Sequence, residues 1–130
     1  MPAKHYSETL QVKEEHLDQL NHVNNVVYLQ WVQLVAEHHW RQEAPKHIQD
    51  EHIWVVLSHF IEYKKPALLG DELTLETFVE GFEGVKSHRR VNIWRGDTLL
   101  VTAKTEWCML DAKSMRPRRV TEETSKHFFQ

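Results

Sequence analysis

Several residue types that define special protein classes are scarce in this chain. Cys108 is the only cysteine, and there are four glycines and four prolines in 130 residues. A single thiol excludes an internal disulfide and a cysteine-rich zinc cluster, and the composition excludes a collagen-like or low-complexity chain. No apolar run approaches the roughly 18 residues that a membrane span needs, and no signal peptide is visible. We therefore expect a cytoplasmic protein that does not enter a membrane.

Metal-binding motifs are also missing, although the chain has ten histidines. Apart from His38 and His39 the histidines occur singly, and no pair has the spacing of a zinc ligand set. We predict neither a metal nor a cofactor.

Positive charge is concentrated in one segment. The net charge is −3, but residues 86–119 contain nine Lys or Arg against three acids, a balance of +6, which leaves −9 for the rest of the chain. Such asymmetry indicates either a surface that attracts an anion or a solvated strand face whose charges are matched elsewhere. The negative total and the absence of a nucleic-acid motif argue against DNA or RNA as a partner.

One long helix is predicted from Asn24 or Asn25 to about Glu43, where Pro45 prevents continuation. Its apolar residues cover much more than one face, so we expect it to be buried on more than one side. The stripe and its flanks are Val26, Val27, Leu29, Trp31, Val32, Leu34, Val35 and Ala36.

Strand patterns surround this helix, one before it and four after it. They cover residues 5–13, 53–61, 73–79, 87–95 and 99–110, and the last should direct Leu99, Val101, Ala103, Thr105, Trp107 and Met109 to one face. Turns are expected at Pro66 to Gly70, at Gly81 and Gly84, and at Gly96-Asp97, with a short helix within 121–130. Short connections favour an antiparallel sheet, and its twist allows it to curl around the helix. The prediction is one α+β domain over residues 1–130.

The helix begins with a distinctive segment. Residues Asp18 to Tyr28 have the sequence DQLNHVNNVVY. This segment resembles the signature of hotdog-fold thioesterases, in which an aspartate precedes a short loop and His-Val-Asn-Asn-x-x-Tyr begins the central helix. The similarity is to the 4-hydroxybenzoyl-CoA thioesterase-like group and to plant acyl-ACP thioesterases, and the element order agrees along the whole chain. The sequence lacks a glycine that benzoyl-type members have before the helix, and Asn21 and His22 occupy that stretch.

The chemistry of this segment suits thioester hydrolysis, the activity that the resemblance implies. The free amides of a helix N-terminus, here those of Asn24, Asn25 or Val26, can stabilise the oxyanion of the thioester carbonyl. The resemblance implies that Asp18 is the catalytic carboxylate, either attacking the carbonyl or deprotonating a water. His22 and Asn24 are candidates for positioning water or substrate, although Asn24 and Asn25 also suit a structural capping role.

Other residues are candidates for contacting the substrate. Val26, Tyr28 and Trp31 suit the wall of an acyl pocket. The phosphates of CoA, or an acidic acyl carrier protein, suit basic side chains. The basic candidates are Arg89, Arg90, Arg116, Arg118, Arg119, Lys64 and Lys65.

The resemblance also implies an assembly, because hotdog proteins generally pair their sheets edge to edge with the active site at the subunit interface. We therefore predict a homodimer or homotetramer that hydrolyses acyl-CoA or acyl-ACP. The alternative is a non-catalytic module of the same fold that binds acyl-CoA or an acyl carrier protein.

Overall fold

The computed structural model describes residues 1–130, in which one long helix and five strands make up most of the chain. Two single-turn 3-10 helices lie at Glu14–His16 and Lys126–Phe128. The other elements, in chain order, are β1 (Tyr6–Gln11), α1 (Asn25–Glu43), α2 (Lys46–Glu51), β2 (His52–Tyr63), β3 (Glu72–Glu83), β4 (Lys86–Arg95), β5 (Thr98–Asp111) and α3 (Glu122–Ser125).

All five strands form one antiparallel sheet in the order β1-β3-β4-β5-β2. Strands β1 and β2 are therefore the two edges. Helix α1 packs on one face of this sheet, so the predicted α+β hotdog architecture is confirmed. The predicted strands and the limits of α1 are also confirmed, with strand ends displaced by a few residues.

The hydrophobic core lies between α1 and the face of the sheet that the helix covers, which is the concave face. Val32 and Val35 of the helix meet Leu75 of β3, Ile93 of β4 and Val101 of β5 in one buried cluster. A smaller cluster, Ala44, Ile48, Val79 and Phe128, closes the other end of the helix. The C-terminal segment therefore completes the core at that end.

Helix α1 is buried on one side only within the single chain, contrary to the expectation from its composition. Its buried residues are Tyr28, Trp31, Val32, Val35, Ala36 and His39. On its other side, Val26 is 60% exposed and Leu34 is 41% exposed. The sheet curls over one face of the helix and leaves these apolar side chains uncovered.

Two β-bulges change a turn and a strand face that were predicted from the sequence. Gly81 was expected in a turn, but it lies inside β3 at a bulge in its pairing with β4, and the turn forms at Gly84, whose φ is +61°. A second bulge inserts Leu100 into β5, because Trp94 pairs with Leu99 and Ile93 with Val101. Leu100 and Val101 are both buried. The extra residue breaks the alternation, so Leu99 is out of phase with the predicted inward face.

Two short helices differ from the prediction in detail. Helix α2 follows Pro45 at once and was not expected. It places Ile48 in the smaller core cluster before β2 begins. The terminal helix is confirmed as α3, with Thr121 in the N-cap position but without a side-chain capping hydrogen bond.

Candidate active site

The loop before α1 is held in a tight reversal by its own backbone. The Asp18 amide donates to the His22 carbonyl at 2.8 Å, and the Asn21 amide donates to the Asp18 carbonyl at 3.1 Å. Asn21 has φ +61°, the left-handed region that asparagine tolerates better than most residues. Glycine is therefore not required at this point of the loop, where Asn21 makes the reversal.

Within this loop the Asp18 carboxylate is fixed by backbone donors. Its Oδ1 accepts from the Leu20 amide at 2.8 Å and from the His22 amide at 3.2 Å. Its Oδ2 accepts no hydrogen bond from the chain, and the carboxylate forms no ion pair. One oxygen therefore orients the group and the other remains free to react.

The helix N-terminus beside this loop provides one free amide. Asn24 is the N-cap, as predicted, and its Oδ1 accepts from the Val26 amide at 3.0 Å. The Asn24 amide itself donates to the His16 carbonyl at 2.9 Å. Among the three amides proposed as oxyanion donors, only that of Asn25 has no partner within the chain.

These groups meet in a cavity of about 240 Å³, which we call the Asp18 pocket. It brings together Asp18, His22, Asn25 and Tyr28 from the predicted site. The sequence prediction of the active site had not included Tyr63. The complete lining is Asp18, His22, Val23, Asn25, Tyr28, Tyr63, Lys64, Lys65 and Pro66.

Tyr28 connects the helix to the loop after β2. Its hydroxyl oxygen accepts from the Ala67 amide at 2.8 Å, so its own O–H remains available as a donor. Burial raises the pKa of Tyr28 above its usual value, which keeps the phenol protonated. Asp71 supports the same loop by accepting from the Leu68 amide at 2.9 Å and from Arg95 at 2.8 Å.

Two other predicted pocket residues lie elsewhere on α1. Trp31 is buried in the core, 5.7 Å from the Tyr28 ring in an edge-on contact. It therefore supports Tyr28 from behind and does not line the Asp18 pocket. Val26 faces away from the pocket lining and is largely exposed.

The predicted arginines are dispersed over the fold. Arg89 is buried on the concave face of β4, whereas its neighbour Arg90 lies on the opposite face beside Glu80 and Thr102. Because side chains alternate along a strand, these two cannot bind one phosphate together. Arg89 is also buried and contributes little to the protein surface.

Arg116 and Arg118 follow the end of β5, which pairs with the His52 end of β2. Arg118 contacts Asp111 at 3.3 Å, and Arg116 is exposed. The Asp18 pocket contains Tyr63, which is at the opposite end of β2. Within one chain, these arginines and the Asp18 pocket therefore lie at opposite ends of β2.

The residues missed as part of the pocket follow β2 directly. Lys64 and Lys65 had been considered only as possible phosphate ligands, yet both line the Asp18 pocket and form no ion pair. The signal was present in the sequence, because the two lysines follow a predicted strand and precede Pro66. Only the fold shows that this strand end lies beside the start of α1.

No three His, Cys, Asp or Glu side chains are grouped in a way that suits a metal ion. None of the helices has both the length and the apolar character needed to cross a membrane.

Comparison with solved structures shows the same fold in thioesterases. A Thermus thermophilus thioesterase complexed with coenzyme A and zinc has TM-score 0.83 and 22% identity, covering 94% of this chain and 90% of its own. A Staphylococcus aureus protein in complex with CoA has TM-score 0.85 and 18% identity, covering 98% and 83%. The 1,4-dihydroxy-2-naphthoyl-CoA thioesterase of Synechocystis has TM-score 0.80 and 15% identity, covering 95% of each chain.

At the sequence level, no curated protein matches this chain. The family model of the acyl-ACP thioesterase N-terminal domain matches residues 3–128. Because that match spans nearly the whole chain, the protein belongs to the acyl-ACP thioesterase family and is an acyl-thioester hydrolase with the hotdog fold.

Proposed function

We propose that the protein hydrolyses acyl-CoA thioesters in the Asp18 pocket. The observation that supports this most directly is the shared cavity of a carboxylate with one free oxygen and a helix-terminal amide with no partner. The thioester carbonyl would accept from the Asn25 amide, which stabilises the charge that develops on its oxygen. The free Asp18 oxygen would then attack the carbonyl carbon, so that the C–S bond breaks, CoA thiolate leaves and water later hydrolyses the acyl-aspartate anhydride. Alternatively, it would take a proton from a water whose attack on the carbonyl expels the CoA thiolate.

The neighbouring side chains have supporting roles in this proposal. The Tyr28 hydroxyl has a proton to donate into the pocket, and His22 lines the same wall. Both are placed to hold the substrate or a water next to Asp18. Asn24 acts as the cap that fixes the first turn of α1, which in turn orients the Asn25 amide.

Lys64 and Lys65 are the best candidates for the CoA phosphates. They are exposed, unpaired and at the pocket, where an ammonium group attracts phosphate by charge. The structures from Thermus thermophilus and Staphylococcus aureus that share this fold contain CoA. These observations support CoA as the carrier in preference to an acyl carrier protein.

We further propose that the active form is a homodimer joined at β2. This edge strand leaves backbone groups unpaired and exposes apolar side chains beside the uncovered side of α1. Antiparallel pairing of two β2 strands would bring the His52 end of one copy towards the Tyr63 end of the other. Arg116 and Arg118 would then approach the Asp18 pocket of the second copy. The exposed apolar residues are Ile53, Val55, Leu57, Phe60, Tyr63, Val26 and Leu34.

A panel of acyl-CoAs tests the reaction by release of free CoA thiol. The wild type should cleave at least one substrate class, and Asp18→Asn should lower kcat by about 10²–10⁴-fold, the range for a positioned acid–base group. Asp97→Asn is the matched control, because Asp97 is an exposed carboxylate in the turn between β4 and β5 and lies outside the pocket. Full activity in Asp18→Asn would refute the assigned role.

Two further observations would separate the remaining alternatives. Tight acyl-CoA binding without thiol release would indicate the non-catalytic module. A monomer in light scattering at micromolar concentration would contradict the shared site. A cytoplasmic location and a single functional domain over residues 1–130 remain part of this proposal.

A further inference from the structure

A second cavity lies between the C-terminal half of α1 and the concave face of the sheet. Its volume is about 520 Å³, which is within the usual range for small-molecule sites. It shares no lining residue with the Asp18 pocket. The side-chain nitrogens of Gln33 on α1 and His59 on β2 are 3.4 Å apart, and this contact lies between the two cavities. We call it the aromatic cavity.

Aromatic rings form most of its apolar wall. Trp40 of α1 meets Trp54 of β2 edge-on at 5.6 Å, and Trp54 lies 6.3 Å from Phe82 of β3. Phe128 from the C-terminal segment stacks on Trp40 at 5.7 Å. These contacts hold the rings in place, so the wall is preformed for an apolar ligand body.

Arg89 contributes a buried positive charge to this cavity. Its side chain is 6% exposed, and Nη1 donates to His39 Nδ1 at 2.9 Å and to Thr77 Oγ1 at 3.1 Å. Burial and the Arg89 charge lower the pKa of His39 to about 3, so its ring is neutral. Burial lowers the pKa of Arg89 only to about 9, so the guanidinium remains charged at neutral pH.

No acid in the protein neutralises this charge. Arg89 forms no ion pair, and the two carboxylates that line the aromatic cavity already have cations of their own. Glu37 pairs with Arg41 at 2.6 Å, and Asp50 pairs with Lys46 at 2.8 Å. A buried charge without a counter-charge is costly for the folded state. A ligand anion would provide the missing partner.

Two more donors lie near Arg89 on the same face. The indole N–H of Trp107 is buried and has no hydrogen-bond partner, and the Ser87 hydroxyl also makes none. Ser87 lies opposite Trp107 in the pairing of β4 with β5, and Arg89 follows two residues along the strand. All three line the aromatic cavity. They form a patch of hydrogen-bond donors at the inner end of an apolar site.

We propose that the aromatic cavity binds the distal end of an acyl group that carries a carboxylate there. The inference rests on the proposed function for the thioester end of the same substrate. In the proposed dimer, antiparallel pairing of β2 brings the His52 end of one copy, which lines its aromatic cavity, towards the Tyr63 end of the other, which lines the Asp18 pocket. One long acyl chain then has its carbonyl at the Asn25 amide of one copy and its terminal carboxylate at Arg89 of the partner subunit. The substrate class is therefore the CoA monothioester of a long dicarboxylic acid.

Binding is tested with two CoA thioethers that cannot be hydrolysed. Both carry a dodecyl-length chain, which ends in a carboxylate in one and in a methyl group in the other. The wild type should bind the carboxylate analogue about tenfold or more tightly, as measured by calorimetry, because the buried guanidinium pairs with it. Equal affinity, or tighter binding of the methyl analogue, would overturn the proposal without any variant.

Two substitutions on the same strand assign the effect to one side chain. Arg89→Met should abolish or reverse the preference, whereas Arg90→Met, on the opposite face of the sheet, should retain it. A preference that survives in a folded Arg89→Met protein would overturn the assignment to Arg89.

Hydrolysis of dodecanedioyl-CoA and dodecanoyl-CoA distinguishes this inference from the proposed function. If both are cleaved with equal kcat/KM and the two analogues bind equally, only the carboxylate assignment fails. If no acyl-CoA is cleaved and neither analogue binds, the proposed function and the inference both fail.

Discussion

The Asp18 pocket and the aromatic cavity are built in different ways. The first is small and polar, and most of its chemistry comes from one continuous segment, Asp18 to Tyr28, held by backbone hydrogen bonds. The second is larger and aromatic, and it gathers side chains from α1, α2, four strands and the C-terminal segment. Under the proposed function, reactivity is therefore a local property of this chain, whereas substrate selection depends on the whole fold.

The central charged groups of the two sites, Asp18 and Arg89, have opposite signs. The Asp18 pocket presents a carboxylate with one unbonded oxygen, and the aromatic cavity presents a guanidinium without a counter-ion. The two sites therefore require different groups from a ligand, because Asp18 has a free oxygen and Arg89 lacks an anion. Substitutions in the Asp18 pocket should therefore act mainly on kcat, and those around Arg89 on substrate preference or stability, and the following predictions test that separation.

The largest effect in this set is expected from Asn25→Pro, which removes the one free amide of the Asp18 pocket. Proline is well tolerated at the first helical position, and Asn24 before it already has the extended φ and ψ, −64° and 138°, that proline requires. We expect kcat for acyl-CoA hydrolysis to fall by about 10²–10³-fold, the usual loss for one oxyanion donor.

Asn25→Ala is the matched control, because it keeps the amide and removes only the side chain. It should retain most of the activity, and both variants should show the helical circular dichroism of the wild type. Equal losses in the two variants would assign the effect to the side chain and contradict the role of the amide.

A second effect should appear in the pH dependence of stability, and it comes from His39, the buried residue that accepts from Arg89. Burial holds the pKa of His39 near 3, below the 6.5 of the unfolded residue. The unfolded chain therefore binds a proton that the folded chain does not as the pH falls from about 6.5 to 3. The contribution of His39 is complete above pH 6.5 and should decline by up to about 1.4 kcal/mol per pH unit below it.

Urea unfolding of the wild type and of His39→Gln at several pH values measures this effect. The glutamine oxygen can still accept from Arg89 but does not titrate. The difference in unfolding free energy between the two proteins should therefore shrink as the solution is acidified. Parallel curves would show that His39 is not the titrating group.

The smallest effect is expected from Asn24→Ala, which removes the N-cap of α1. The lost hydrogen bond to the Val26 amide should lower the free energy of unfolding by about 1 kcal/mol, and Asn24→Ser should restore most of it. Urea unfolding and the acyl-CoA assay should be measured together. A loss of activity in the stable Asn24→Ser protein would show that the asparagine also contacts the substrate.

The sequence was sufficient to predict the parts of the molecule that depend on local rules. Helix α1 begins where asparagine can cap it and ends before Pro45, so its limits were confirmed. The grouping of Asp18, His22 and Asn25 follows from the same short segment. Their catalytic roles remain a prediction, because geometry alone does not test them.

The remaining features depend on distant parts of the chain. Leu100 enters β5 as a bulge, and the resulting register decides that Ser87 lies opposite Trp107. A regular two-residue hairpin would have placed them out of register, so sequence periodicity could not show the donor patch. The inward direction of Arg89 was foreseeable, since it alternates with the buried Val91 and Ile93. The positive charge of residues 86–119 had instead favoured a surface role for Arg89.

The placement of the tryptophans has a practical consequence. Trp40, Trp54 and Trp107, three of the five tryptophans, line the aromatic cavity, and none lines the Asp18 pocket. Trp94 lies on the outer face of the sheet, where its N–H donates to Glu76 at 3.0 Å. Trp31 contacts Tyr28 of the Asp18 pocket from the core side, so two tryptophan environments can respond to ligands, and the one with three tryptophans should dominate the intrinsic fluorescence change. The protein carries its own optical reporter for the acyl end of a ligand, without a dye or a label.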